Sequence, residues 1–379
     1  MTKRIIFLTG TRADFGKIKS LIRGVEENPS FEYSIFVTGM HTLSRYGYTV
    51  DEVHKAGFKN IHMFMNQVYG ESMDLVLANT IQGLARYVHE YKPDMIVVHG
   101  DRIEALAGAV VGALNNILVA HIEGGEVSGT IDELIRHSIS KLSHLHFVAN
   151  QEAFDRLRQL GEDPKSIFII GSPDIDVMLS ANLPSLDVVK SYYEINFENY
   201  SLVLFHPVTT ELEILAYQAK ELVESLIMSG KKYVVIYPNN DVGSNEIFDA
   251  YKLLKGNENF RLYPSMRFEY FLTLLKHADF VIGNSSVGIR EAPVYAVPTI
   301  NIGTRQENRF SYSTIVNVVA EKRTILDAIS SIALIKTDEY CMHFGDGNSS
   351  NHFMRILQEE KTWETSKQKL FYDMVMQHA

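Results

Sequence analysis

Two carboxylates stand where apolar runs give out, Asp101 in MIVVHGDR and Glu123 in NILVAHIEGG, and a third, Asp132 in GTIDELIRH, precedes the apolar residues of a helical segment. Asp101 follows a glycine, so it suits either an acid/base role or the cap of the next helix, and the two are compatible. Glu123 lies in a turn, for which glutamate has no strong preference. The two glycines after it imply tight geometry or the close approach of a ligand. Asp132 and Arg136 are four apart and share a helix face; as a local pair they contribute only about 0.2–0.5 kcal/mol. Three acids on neighbouring strand ends suit chemistry that removes one proton and delivers another.

Other polar turns carry different chemistry. GTRADFGK (10–17) follows the first apolar run. Its glycines would let backbone amides approach an anion, with Arg12 and Lys17 adding charge. It is neither GxGxxG nor the phosphate-loop pattern, and a turn with solvated basic residues accounts for it equally well. His206 ends the run SLVLFH. GNSSVGIREAP (283–293) reads as strand, hydroxylated turn and helix, with Ser285 and Ser286 where a phosphate would be held. An ordinary serine cap explains one of them. A second GNSS, at 347–350, reads as a surface loop. His99, His121, Asp101 and Glu123 have the chemistry to hold a divalent ion. There is no HExxH and one cysteine, Cys341, so no metal site is expected.

Bringing such turns together requires strands that end at one edge. RIIFLTG, YSIFVTG, MIVVHG, NILVAHIEG, LHFVAN and IFIIGSP read as buried strands. Helical segments alternate with them: one from about Phe15 or Gly16, then 73–91, a stretch from Arg102, ELIRHSISKLS and EAFDRLRQLG. A boundary is expected between Pro173 and about Asn199, and the first domain is taken as 1–173. The alternation restarts with SLVLFHPVTT and continues through KKYVVIYPNN, ENFRLYPS, DFVIGNSS and PTINIG in a second domain, 174–360. Two helices, NHFMRILQEE and KTWETSKQKLFYDMVMQ, end the chain, the last (361–379) expected to pack back on the first domain. The expected class is α/β, with two Rossmann-like domains facing across a cleft and ligands at the carboxyl ends of the strands.

Composition sets outer bounds. The 379 residues, 46% apolar and 22% charged, allow a large core in two or three domains. A net charge of −10 argues against broad nucleic-acid binding and leaves room for a local basic pocket. The apolar run after MTKR is too short for a signal peptide, and no stretch of about 18 apolar residues is present, so no membrane span is expected and the cytoplasm is the expected compartment.

Taken together, GTRADFGK, HGDRIEALAGA, HIEGGEVSGTIDELIRHSISKLSH, IGSPDIDVM, FHPVT, YPNND and GNSSVGIREAP resemble the UDP-N-acetylglucosamine 2-epimerase family. The resemblance runs from Thr9 to roughly Asn308 and is closest to the bacterial hydrolysing branch that makes N-acetylmannosamine for sialic-acid synthesis. Arg12 is followed by Ala-Asp, not the Pro-Glu typical of the non-hydrolysing branch, and HIEGG replaces the form EAG-Leu-Arg. The resemblance implies a glycosyltransferase-B-like fold around a UDP-sugar, a homodimer or homotetramer, and no cofactor or metal.

It also implies roles. Asp101, Glu123 and Asp132 match acid/base carboxylates, with Asp101 and Asp132 handling protons at C2 and Glu123 assisting water or the departing oxygen. Arg12 and Lys17 match a turn near the sugar and diphosphate, and His206 a histidine near the diphosphate. Ser285 and Ser286 match a phosphate-binding turn, and Glu291 an acid that holds the ribose. Arg136 matches structural or diphosphate-facing support. The implied reaction eliminates UDP to give 2-acetamidoglucal, then adds water to give N-acetylmannosamine. Rival readings are the same reaction on UDP-2,4-diacetamido-2,4,6-trideoxyglucose, a non-hydrolysing epimerase, a glycosyltransferase on the same fold, and a non-catalytic nucleotide-sugar sensor.

Overall fold

The computed structural model describes residues 2–128, 130–238, 241–335 and 340–373. Two compact units divide them. The first takes the described residues within Met1–Glu126, Asp132–Ser180 and His343–Ala379; the second takes those within Val127–Ile131 and Ala181–Met342. The division differs from the expected 1–173, 174–360 and 361–379: the chain rejoins the first unit at His343.

In the first unit, strands β1 (Lys3–Thr9), β2 (Phe31–Val37), β3 (Ile61–Met63), β4 (Met95–His99), β5 (Leu118–Ile122), β6 (Leu145–Val148) and β7 (Ile167–Ile169) form one sheet among the described residues. Its order is β3-β2-β1-β4-β5-β6-β7, and its ladders are parallel. The helices between them are α1 (Arg12–Glu26), α2 (Val50–Lys55), α3 (Met73–Tyr91), α4 (Ile103–Leu114), α5 (Ile131–Leu142), α6 (Gln151–Gln159) and α7 (Pro173–Met178). Strand residues alternate between two apolar layers. Ile5, Phe7, Val97 and Ala120 pack with Ile18, Leu21 and Ile22 of α1, while Ile6, Leu8, Ile96, Val98 and Val119 pack with Leu84, Ala105 and Ile139 from the helices opposite. Burial on both faces is why these strands read as unbroken apolar runs.

The second unit repeats the plan. After α8 (Leu186–Tyr192) come β8 (Ser201–Leu204), α9 (Leu212–Ser229), β9 (Tyr233–Ile236), α10 (Ser244–Tyr251), β10 (Phe260–Tyr263), α11 (Phe268–Lys276), β11 (Val281–Gly283), α12 (Val287–Arg290), β12 (Thr299–Ile302), β13 (Ile315–Val318) and α13 (Lys322–Ser331). The sheet order is β10-β9-β8-β11-β12-β13, again with parallel ladders. In both sheets the order reverses beside the first strand, between β1 and β4 and between β8 and β11. Such switch points open the crevice where open α/β sheets bind ligands. Among the described residues, no helix is long and apolar enough to cross a membrane.

Several local expectations are corrected. Helix α1 begins at Arg12, because Thr11 caps it: the Asp14 amide donates to Thr11 Oγ1 at 3.1 Å and the Thr11 amide donates back to Asp14 at 3.1 Å. The edge strands β3 and β13 escaped notice because their residues are mostly half-buried and patterned weakly. The second GNSS is no surface loop. Ser349 is fully buried and opens α14 (Ser349–Leu357), where the amides of Ser349 and Ser350 donate to Asp176 of α7 at 2.9 and 2.8 Å. Of the expected final helix, the described residues form α15 (Glu360–Trp363) and run without helix over 366–373; 374–379 lie outside the described residues. The turn YPNN ends in Asn239 and Asn240, which lie outside the described residues.

Gly283 ends β11 at φ +140°, and a Cβ there would stand 1.9 Å from the carbonyl oxygen of Leu204. Gly303 has φ +73° with open space around it. We therefore expect Gly283→Ala to cost several kcal/mol, roughly 3–5, or to prevent folding. Gly303→Ala should cost about 1–2 kcal/mol. Urea unfolding of both variants checks the contrast.

Candidate active site

The β1–α1 turn is held from within. The carboxylate of Asp14 accepts from the amides of Gly10 (2.9 Å) and Thr11 (3.1 Å) and from the Thr9 hydroxyl. The Gly10 and Thr11 amides are thus engaged by the turn's own acid. Beneath it, His41 is fully buried, with Thr9 Oγ1 at 3.1 Å and Thr49 Oγ1 at 2.7 Å. Burial holds its imidazole down at about 4, so it is neutral at pH 7. Arg12, the first residue of α1, is half-buried; Lys17, further along, is buried.

Lys17 does not present a bare cation. Its Nζ lies 3.2 Å from Asp174 Oδ2 and 3.9 Å from Glu123 Oε1. Asp174 is fully buried and Glu123 nearly so. Glu123 also accepts from the Ser172 hydroxyl at 2.5 Å, and its other oxygen lies 3.4 Å from His99 Nε2. The backbone of Glu123 has φ +64°, a left-handed conformation that costs a non-glycine residue about 1–2 kcal/mol. The turn has little room to relax. Gly125 follows at φ +76°, where a Cβ would come within 2.2 Å of the Ala153 carbonyl oxygen. A strained glutamate fixed by a lysine, a histidine and a serine is a carboxylate aimed by its surroundings.

The other two acids sit on the neighbouring elements. Asp101 follows β4, which pairs with β5 in the register His99 to Ile122. It is half-buried and forms an ion pair with Arg136 Nη2, whose side chain is 2% exposed. Arg136 projects from α5, and Asp132, half-buried, stands one turn earlier on the same helix. His121 fastens the turn before Asp101. Its Nε2 donates to the Gly100 carbonyl at 2.8 Å, and Nδ1 accepts from Ser140 Oγ at 3.1 Å. With both nitrogens engaged and burial holding its imidazole down at about 3, His121 is a neutral brace with no valence left for a metal.

In the second unit, Asn284 joins the ends of β8 and β11: it accepts from the His206 amide at 2.7 Å and donates to the His206 carbonyl at 2.8 Å. His206 is thereby fixed beside Ser285 and Ser286, which are half-buried in the turn before α12. That helix has four residues and a short dipole; the Ser285 hydroxyl accepts the Val287 amide at 3.4 Å, while Ser286, at the N-cap, makes no side-chain cap bond. Gln306 donates to the Asn284 carbonyl at 2.9 Å and Arg305 at 3.3 Å. Glu291 is buried directly after α12.

The profile of the UDP-N-acetylglucosamine 2-epimerase family matches residues 23–358. The chain belongs to that family. It is 50% identical to the UDP-N-acetylglucosamine 2-epimerase of Neisseria meningitidis serogroup B, over 98% of this chain and 99% of that one. It is 30% identical to the hydrolyzing UDP-N,N'-diacetylbacillosamine 2-epimerase of Legionella pneumophila, over 94% and 96%. It is 31% identical to the Polysialic acid biosynthesis protein P7 of Escherichia coli, over 98% of each. Among solved structures, a UDP-GlcNAc 2-epimerase from Neisseria meningitidis bound to UDP-GlcNAc superposes with a TM-score of 0.79 at 19% identity, over 93% of this chain and 99% of that one. At that identity the likeness establishes the fold: two parallel-sheet α/β units of glycosyltransferase-B type.

Within this epimerase-family chain, the first unit carries Arg12, Lys17, Asp101, Glu123, Asp132 and Arg136, and the second carries His206, Ser285, Ser286 and Glu291. The sequence reading missed Ser172, Asp174 and Asn284. The first two follow the apolar run IFII, so the rule that singled out Asp101 and Glu123 would have found them.

The buried Lys17 and the buried, neutral His121 each lead to a measurable outcome. Lys17→Met strips two buried carboxylates of a cation and should cost roughly 3–5 kcal/mol in urea unfolding; a lysine serving only a ligand would leave stability within about 0.5 kcal/mol. His121 binds its proton far less readily when folded than unfolded, where its value is near 6.5. Its contribution is therefore complete above about 6.5 and is lost as pH falls toward 3, roughly 2 kcal/mol being gone at pH 5. The Tm should drop between pH 7 and pH 5, and His121→Gln should drop less over that interval while starting lower.

Proposed function

We propose that this chain is a hydrolysing UDP-N-acetylglucosamine 2-epimerase that releases N-acetylmannosamine and UDP. The observation that carries the proposal is the group of acids in the first unit: Glu123 braced at the end of β5, and Asp101 at the end of β4 paired to Arg136 on the helix that bears Asp132. A binding module has no use for so many fixed carboxylates.

The C2 hydrogen of the substrate sugar is weakly acidic, because no carbonyl adjoins it. Its removal by a carboxylate must run together with departure of UDP. The C2–H electron pair becomes the C1=C2 double bond, the C1–O bond breaks, and its electrons leave on the diphosphate. Asp101 or Asp132 takes the proton. On this reading His206, Ser285, Ser286 and Arg12 neutralise the departing diphosphate, and Glu291 holds the ribose. Water then adds to C1 of 2-acetamidoglucal, assisted by Glu123, while a carboxylic acid returns a proton to C2 from the opposite face. No net oxidation occurs. Lys17 supports Glu123 rather than the diphosphate on this reading, and Arg136 orients Asp101.

The relative at 50% identity, named for UDP-N-acetylglucosamine, supports that sugar. The Legionella relative, and a Campylobacter jejuni GDP/UDP-N,N'-diacetylbacillosamine 2-epimerase at 32% identity, are both named as hydrolyzing and support release of the free sugar. They also favour a second reading, the same chemistry on a diacetamido-trideoxy sugar. The polysialic acid relative fits a product destined for sialic acid in a surface polysaccharide.

Proton NMR in heavy water with UDP-N-acetylglucosamine tests the reading. The expected products are UDP and free N-acetylmannosamine carrying deuterium at C2. UDP-N-acetylmannosamine would move the chain to the non-hydrolysing branch. An inert mixture that turns over with the diacetamido sugar would favour the second reading. UDP binding without turnover of either sugar would favour a transferase or a sensor.

A further inference from the structure

Asp132 stands in the first turn of α5, and the opposite end of that helix is gripped by chain 226–229 residues further on. Lys369 Nζ donates to the carbonyls of Ser140, Lys141 and Ser143 at 3.1, 2.9 and 2.7 Å. The Ser140 carbonyl also accepts the Ser143 amide at 3.1 Å; carbonyls at a helix end lack the next turn's amides, and a cation is favoured there by the helix dipole. Lys369 also pairs with the fully buried Glu162, which holds Lys141 at 2.8 Å and His146 Nε2 at 3.0 Å. Burial alone would raise the Glu162 carboxyl; the hydrogen bond from His146 and the neighbouring lysines outweigh it and bring it down to about 2. One step away, His144 accepts the Val119 amide on Nδ1 at 3.0 Å and donates from Nε2 to the Lys367 carbonyl at 3.1 Å. The pair His144 and His146 thus has its work in fastening residues 367 and 369 across β5, β6 and α5.

We propose that Lys369 is a positioning residue for the reaction, acting through α5 on Asp132 and Asp101. The proposal rests on the acid/base reading of those residues. Two connected routes carry it. Ser140, whose carbonyl Lys369 binds, also contacts His121 through its hydroxyl, and His121 holds the Gly100 carbonyl immediately before Asp101. Four residues before Ser140 on the same helix, Arg136 pairs with Asp101 itself. Helix α5 is only about 18 Å long and stiff. A rotation or slip at its C-terminal end therefore moves Asp132 and tilts both supports of Asp101 together. The segment that does this reads from sequence as one more helix. Its amphipathic pattern yields to the contacts that Lys367 and Lys369 make with α5 and β6.

The test compares Lys369→Met and Lys369→Arg in the full chain. In Lys369→Met, kcat should fall at least tenfold well below its Tm, with KM and UDP affinity within twofold of wild type. Hydrogen exchange across 131–142 should rise through to the first turn. Lys369→Arg keeps the charge and should recover part of the kcat. Should Lys369→Met not fold, Lys369→Gln, which keeps a donor and loses the charge, serves the same comparison. Unchanged kcat with a lowered Tm would overturn the proposal and leave Lys369 a stabilising contact only. Unchanged exchange at the first turn of α5 would overturn it as well. If the wild type turned over no UDP-sugar, the reading of the site would fail, while the exchange comparison would still decide whether Lys369 holds the helix.

Discussion

One buried ammonium sets the terms of the first unit. Lys17 lies between Asp174 and Glu123, and both acids are withdrawn from water. A buried carboxylate without a partner is strongly disfavoured, so the lysine, the two acids, Ser172 and His99 can only be understood as a group. The group has geometric consequences. It ties α1 to the end of β5 and to the start of α7, and it holds Glu123 in a left-handed conformation that glutamate does not choose for itself. The strain is small beside the interactions that impose it. What results is a carboxylate whose position is set by neighbours on several elements.

A second set of contacts fixes Asp101 with the same economy. Its side chain is paired to Arg136, and the carbonyl before it is bonded to a neutral, buried His121. Both supports lead back to α5, the helix that carries Asp132. Two of the three acids thus depend on the placing of one short helix, and that helix is fastened at its far end by Lys369. Preorganised charge of this sort is what proton transfer to and from carbon requires, because reorienting side chains during the reaction would add to the barrier.

Much of the fold was legible in the sequence, because strands buried on both faces announce themselves as unbroken apolar runs. The edge strands β3 and β13 and the helix α13 did not, since edges carry polar and half-exposed residues. The acids were legible for a related reason: Asp101 and Glu123 follow such runs, where an acid is unexpected. The pairing of Lys17 with Asp174 and Glu123 is not legible, because these acids are distant in sequence and meet it only in the folded chain. In GTRADFGK, Thr11 and Asp14 have the spacing of a capping box, which marks the start of α1; that Asp14 also engages the Gly10 amide shows only in the folded turn. The role of Lys369 was illegible, because a local periodicity pointed to helix while long-range contacts decided otherwise.

On the proposed function, Glu123 is held in place for chemistry and not for architecture alone. The most direct measurement is turnover of UDP-N-acetylglucosamine by Glu123→Gln, beside UDP affinity by calorimetry and unfolding in urea. Glutamine keeps the shape of the side chain and an oxygen for Ser172, and it removes the charge. The expected result is a folded protein with UDP affinity within about threefold of wild type and turnover lowered by roughly 10²–10⁴. Turnover within a few-fold of wild type in a folded Glu123→Gln protein would contradict it, and would leave the Lys17 cluster as a structural feature without a catalytic purpose.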